Sequence, residues 1–374
     1  MISSKPAAGF TTLTITLIVV ILVTSLSLMT GKILMGEQRV AANEMRYRAA
    51  MASAQAGLDE AMARVGADLT FRGPLTRNSG TFYSVTFGAD QQIPVGTGQL
   101  PLLSLRSVGT SEDGEGQVIL HQQVVISDVV AGTPDAPLTV AAGMAVGGNF
   151  NVGANPNGGG SGVPLSIWTN GNVDLTTGSG NTCGLQEYYD GNCSSASYSS
   201  AGNKQADILD NDTVNFPSDL LKYVFGVPDT DEGMAQLEER LAKLGRVPLT
   251  GCSSLNTSSS GFYIVDGNCS GGSMGSRENP VVVLVRNGDL TINANSEIYG
   301  MVFTYDKVPG DVTTYDVKLN GGATVYGALI SNHKLGTANG TYNAVYDAET
   351  LQNIQDGKEF SYVARVPGSW RDWD

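Results

Sequence analysis

Histidine is almost missing from this 374-residue chain, which has only His121 and His333. Its four cysteines show no C-x-x-C step, so the usual Cys/His zinc patterns are excluded, and no P-loop, HExxH or EF-hand loop occurs. Charged residues are also sparse, at 16%. Two absences are local: no charged side chain lies between Lys5 and Lys32, and no proline between residues 32 and 64. The first permits a membrane crossing, because about 20 apolar residues span a hydrocarbon core about 30 Å thick. The second permits the helix to continue beyond it.

What is present is glycine, at 47 residues, with many Asn, Ser and Thr, and 41% hydrophobic residues. That composition describes a turn-rich, β-rich exported protein and argues against disorder. The net charge is −14, unevenly spread. Up to Arg72, seven Lys and Arg face five Asp and Glu; beyond it, fifteen face thirty-one. An acidic exterior of this kind favours solubility and disfavours nucleic acid as a partner.

Residues 9–31, GFTTLTITLIVVILVTSLSLMTG, form the apolar segment. The short leader MISSKPAAG runs into Phe10 without the small-residue cleavage site that follows the apolar region of an ordinary secretory signal. The helical pattern continues through residues 32–64, with Met51, Ala54, Leu58, Ala61 or Met62, and Val65 at three- and four-residue steps. Gly31 and Gly36 are its weak points, and Gly66 with Gly73-Pro74 its stop.

A leader ending in Gly, then Phe, twenty apolar residues and an amphipathic continuation resembles the prepilin signature of type IV pilins and type II secretion pseudopilins. The run GEQRVAANEMRYRAAMASAQAGLDEAMARV, residues 36–65, is similar to the PilX-type minor pilins. The resemblance covers residues 9–65 and implies cleavage by a prepilin peptidase between Gly9 and Phe10, with Phe10 becoming an N-methylated terminus. It further implies packing of the helix against other pilins, storage in the bacterial inner membrane with the C-terminal region in the periplasm, and later extracellular location in a pilus. Major pilins carry Glu at the fifth mature residue, where this chain has Thr14. That departure, shared with the K-type minor pseudopilin, points to a tip or initiation subunit, with a PilY-type tip adhesin as the implied partner.

Beyond the helix, TFYSVTFG, LLSLRSVGT and QVILHQQVVISDVV alternate as strands, with a hairpin turn at Asp113-Gly114. After Gly132-Thr133-Pro134, short apolar pieces follow Asn-Gly steps at residues 147–152, 169–175, 286–304 and 318–331. These suggest stacked β-solenoid coils, with an antiparallel sandwich as the competing architecture. The domain reading is a leader at 1–9, a helix at 10–66 (anchor 10–31, amphipathic 32–66), a small antiparallel head at 67–131 and a β domain at 132–374. An insertion at about 178–279 interrupts that domain and contains a helix at 228–244. The fold class is α+β.

Cys183, Cys193, Cys252 and Cys269 all lie in the exported part and allow three disulfide connectivities. Pairing Cys183 with Cys193 and Cys252 with Cys269 is preferred, since each closes a short Gly/Ser/Asn-rich loop. GGSMG at 271–275 fits G-x-S-x-G, but lies in a Gly/Ser run where such matches arise by chance. Asp210/Asp212 and Asp311/Asp316 are loose acidic pairs that justify no metal site. Neither enzyme nor cofactor is expected. Two functions from different classes remain: a structural minor pilin that primes assembly and supports motility and attachment, and a membrane-anchored adhesin or carbohydrate-binding protein independent of a filament.

Overall fold

The computed structural model describes residues 8–95, 98–146, 148–176, 178–308, 315–338 and 343–373. Most of the leader and Asp311 lie outside them. The chain divides into two compact units, residues 1–125 with 364–374, and residues 126–363.

The first unit begins with helix α1, Ala8–Ala67, 60 residues without interruption. Gly31 and Gly36 do not break it; with 1.5 Å of rise per residue it extends about 90 Å. Five strands of a six-stranded sheet follow: β1 (Leu75–Ser79), β2 (Thr81–Phe87), β3 (Gln91–Val95), β4 (Gly98–Thr110) and β5 (Gln117–Asp128), the sixth being Ser361–Arg365. Strand β4 pairs with β2, β3 and β5, and β1 edges β2. Gly114 takes φ +75° in the β4–β5 turn, a conformation that favours glycine. Along β5, Val118, Leu120, Gln122 and Val124 are buried in strict alternation.

The C-terminal residues also belong here. They were grouped by sequence with the 132–374 domain, but the Val366 amide donates to the Gln123 carbonyl at 2.9 Å, and His121 and Arg371 exchange backbone hydrogen bonds at 2.8 and 3.0 Å. Long-range backbone pairing of this kind leaves no local sequence mark. Trp370 and Trp373, in this tail, are 40% and 64% exposed.

The second unit is built differently. Gly261–Asp266, Val281–Arg286, Glu297–Tyr305, Thr324–Ser331, Asn343–Val345, Asn151–Gly153 and Asn181–Cys183 lie side by side in that order, every neighbour parallel. Leu138–Val140 also pairs with Thr324–Ser331 and leads through Ile167–Thr169 to Ile208–Leu209. Two shorter parallel ladders join Cys269–Gly271, Leu290–Ile292 and Val317–Leu319, and Val173–Asp174, Met144–Val146 and Leu335–Ala338. Hairpins cannot produce such pairing, which requires a connection that returns each strand to the same end. Here the chain leaves one ladder at a tight turn, crosses through a short strand of the other, and comes back one level along.

Equivalent residues of successive levels therefore meet. Tyr299 stacks on Tyr326 with ring centroids 4.8 Å apart, the spacing of neighbouring strands. Gly300 pairs with Gly327, both at positive φ, and a Cβ on either would collide with the backbone of the adjacent level. The interior holds Val283, Val285, Leu290, Ile292, Val302, Leu319 and Leu329. The other face of the main ladder is covered too: Phe225, on helix Leu220–Phe225, packs on Phe262 and Phe303 at 5.6 and 5.8 Å. Burial on both faces accounts for the unbroken apolar run at residues 281–285.

Residues 178–279 do not interrupt this stack. Asn181–Cys183, Ile208–Leu209, Gly261–Asp266 and Cys269–Gly271 are rungs of its ladders. Three of these four strands have only two or three residues, too short to leave a period-two signal, so the stretch reads as an insertion. Its main helix, Asp231–Lys243, is capped by Thr230, whose side chain accepts from the Gly233 amide at 3.1 Å. Glu238 of that helix and Asp266 hold Arg286 at 2.5 and 2.6 Å. Disulfides join Cys183 to Cys193 and Cys252 to Cys269, with Cα separations of 5.3 and 4.8 Å.

Candidate functional site

Helix α1 changes character along its length. Between residues 13 and 47 its apolar side chains are exposed, from Leu13 and Ile15 through Leu28 to Val40 and Met45, the last at 72%. From Ala50 onward one face is fully covered: Ala50, Ala54, Leu58, Ala61 and Val65 are at most 1% exposed. These lie at steps of four, four, three and four, so they form one stripe. Burying Leu58 and Val65 is worth about 1.5–3 kcal/mol each, while the alanines allow close approach.

The approach is closest at two glycines. A Cβ at Gly109 of β4 would collide with the Ala50 carbonyl and the Ala54 backbone. On the helix side, a Cβ at Gly57 would press on Ser107 Oγ and lie 3.0 Å from the Tyr83 ring. Polar contacts then fix the orientation. Tyr83 donates its hydroxyl to Glu60, holding that carboxyl below its usual range. Arg46 Nε bonds Asp113 at 2.6 Å; the Ser111 hydroxyl, then Arg46, bring the Asp113 carboxyl down to about 2. Arg365 bonds Asp59 at 2.5 Å, and Trp370 donates its indole N–H to Gln55 at 3.2 Å.

Within the exposed apolar part, threonine hydroxyls turn back on their own helix. Thr16 donates to Thr12 and Leu13 carbonyls, Thr24 to Val20 and Thr30 to Leu26, at 2.8–2.9 Å to the nearest carbonyl. Such bonds let a hydroxyl enter an apolar medium without an unsatisfied donor. Thr14 is exposed in the same stretch. Gly9 and Phe10 both lie within the helical backbone of α1. By length and composition, this is one helix able to cross a membrane.

The other sequence candidates separate. Ser273 of the GGSMG run follows a three-residue strand, and its Oγ accepts from the Glu297 amide at 3.1 Å. No helix follows it to make the sharp turn of a nucleophile elbow. His333 is buried, with Nδ1 3.3 Å from the Lys334 carbonyl, and burial pushes its pKa down. Asp212 accepts the Trp168 indole N–H at 3.0 Å, while Asp210 pairs with Lys204. Among the described residues no cluster of three or more His, Cys, Asp or Glu is placed to hold a metal ion.

Sequence reasoning located the buried stripe but missed its partner. Gly109 carried no signal beyond being a glycine in a strand, which by itself marks a site where another backbone can approach closely.

The PilX N-terminal family model matches residues 8–59. That span takes in the exposed apolar part of α1 and the start of its buried stripe. No curated protein matches the chain. Among solved structures, it is similar to the competence-associated pilin ComZ from Thermus thermophilus at 13% identity, over 80% of this chain and 92% of that one. The TM-score is 0.22, and a likeness of that size carries no argument about fold or function.

Proposed function

We propose that this chain, with its PilX-type N-terminal segment, is a minor subunit of a type IV pilus. The observation that carries the reading is the uncharged, apolar length of α1 over residues 13–30, exposed along its whole circumference. A helix apolar all round needs a covering of lipid or of other helices. A pilin helix uses both in turn, first in the inner membrane with the rest of the chain in the periplasm, then in the core of a filament.

In this reading prepilin peptidase cuts between Gly9 and Phe10, and Phe10 becomes the methylated terminus. Thr14 replaces the carboxylate that would neutralise a neighbouring subunit's terminal amine. A buried unpaired ammonium is costly, so a subunit without that carboxylate suits the end of a filament, where it has no such neighbour to satisfy. Priming of assembly at the tip, with a PilY-type adhesin as partner and motility as outcome, follows from that position. The parallel coils of the second unit are read as a β-solenoid, a structural module with no catalytic role.

Mass spectrometry of the mature N-terminus tests the reading. A methylated Phe10 is expected; a mature protein retaining Met1, or starting elsewhere, overturns it.

A further inference from the structure

The coiled unit holds a groove lined by residues of the second unit alone. It has a volume of about 460 Å³, and its walls include Asn149, Asn151, Ser179, Asn181, Tyr188 and Ser194. We propose that it is a saccharide site, binding a neutral oligosaccharide by its hydroxyls along the asparagine row and by a ring face on tyrosine.

Three features of the lining select that chemistry. First, among the described residues no Lys, Arg, Asp or Glu lines the groove, so neither an anion nor a cation finds a counter-charge there. Second, the polar groups are carboxamides and hydroxyls, which both donate and accept, as sugar hydroxyls do. Asn151 and Asn181 are register partners on adjacent parallel strands, which places them one strand spacing apart, about 4.8 Å. Their side-chain amides make no hydrogen bond to any described residue. Asn149 is held by the Ser179 hydroxyl, and the Asn343 amide oxygen takes the Asn151 backbone N–H at 3.0 Å, so the flanks of the row are set.

Third, the groove has an aromatic side. The Tyr188 ring stands perpendicular to Tyr189 at 5.9 Å, and Tyr189 is exposed. The Tyr188 hydroxyl is 3.5 Å from Thr324 Oγ1, on the strand that carries Tyr326 of the stacked Tyr299–Tyr326 pair. A tyrosine ring with a polar tip presents an apolar face and a hydrogen-bonding end together, the combination a sugar ring requires. The site is rigid as well: two of its asparagines are on strands, and the Cys183–Cys193 bridge ties down the loop that presents Ser194. Groups held in place in advance bind at lower entropic cost.

The proposal does not depend on filament assembly. Full-length protein in a detergent without a sugar headgroup is titrated calorimetrically with chitotetraose and cellotetraose, with a heparin tetrasaccharide as the anionic control. Neutral polysaccharide from the producing cells' envelope and neutral plant polysaccharide form two further arms, which separate a ligand of the cell's own surface from a foreign one. Saturable binding of at least one neutral probe is expected. It should weaken at least tenfold in the Asn151→Ala/Asn181→Ala double variant, at an unchanged melting temperature. Asn181→Asp, nearly isosteric, should show a comparable loss and serves if the double variant does not fold. Failure of all the neutral probes to bind, tighter binding of the anionic control, or undiminished binding by folded variants would overturn the proposal.

Discussion

Gly109 of β4 lies directly against the backbone of Ala54 on α1, so close that no side chain fits between strand and helix. The relation makes Gly109 the most sensitive position of the first unit. Gly109→Ala should destabilise that unit by about 1–3 kcal/mol, the usual range for overpacking a tight core. Thermal unfolding followed by circular dichroism reads the loss. A melting temperature equal to wild type would mean that the helix does not rest on the strand as described.

Processing gives a second expectation. Gly9→Leu should leave the protein uncut and held in the membrane, because the residue before the proposed cleavage point is no longer small. Immunoblots of membranes and of sheared filaments distinguish the outcomes, and recovery of the variant in filaments at wild-type levels would contradict the proposed route.

Thr14→Glu probes the position of the subunit. Restoring a carboxylate at the fifth mature residue should let the variant enter the shaft, which immunogold labelling would show as label along the pilus. Label confined to one end in both proteins would argue that Thr14 does not determine placement.

The disulfides should stabilise the second unit. Cys252 and Cys269 are both almost fully buried and close a loop with a sequence separation of 17. Replacing both with Ala should cost about 2–4 kcal/mol, read as a lower urea midpoint for the second unit. The same shift should appear in the wild-type protein under reductant, though there the Cys183–Cys193 bridge is lost as well.

His333 should make stability depend on pH near neutrality. Its pKa in the folded protein is depressed below the ordinary 6.5, because burial disfavours the imidazolium. The unfolded chain therefore takes up its proton first as pH falls, so stability is full above about 6.5 and declines below it until the folded group also protonates. Urea midpoints between pH 7.5 and 5 should fall in the wild type, and more gently in His333→Leu. Equal slopes in the two proteins would exclude His333 as the source.

Much of this molecule was legible in local sequence. The missing charge between Lys5 and Lys32, the missing proline to residue 64 and the three- and four-residue apolar steps determine α1, because a helix depends on neighbours within one or two turns. The longer strands β2, β4 and β5 and the turn at Gly114 follow from period-two alternation and turn chemistry in the same way. The recurring Asn-Gly steps foretold that levels would repeat, and Tyr299 over Tyr326 shows two such levels in register.

Tertiary structure alone decided which distant segments meet. The return of the tail to β5, the rungs contributed by residues 178–279 and the seat of Ala54 on Gly109 depend on hydrogen bonds and backbone contacts between residues far apart in the chain. The asparagine row belongs with them: Asn151 and Asn181 are 30 positions apart and become neighbours only when parallel strands align. Local patterns specify elements, because their energetics are local. Partners, and the grooves between them, are set by the packing of the whole chain.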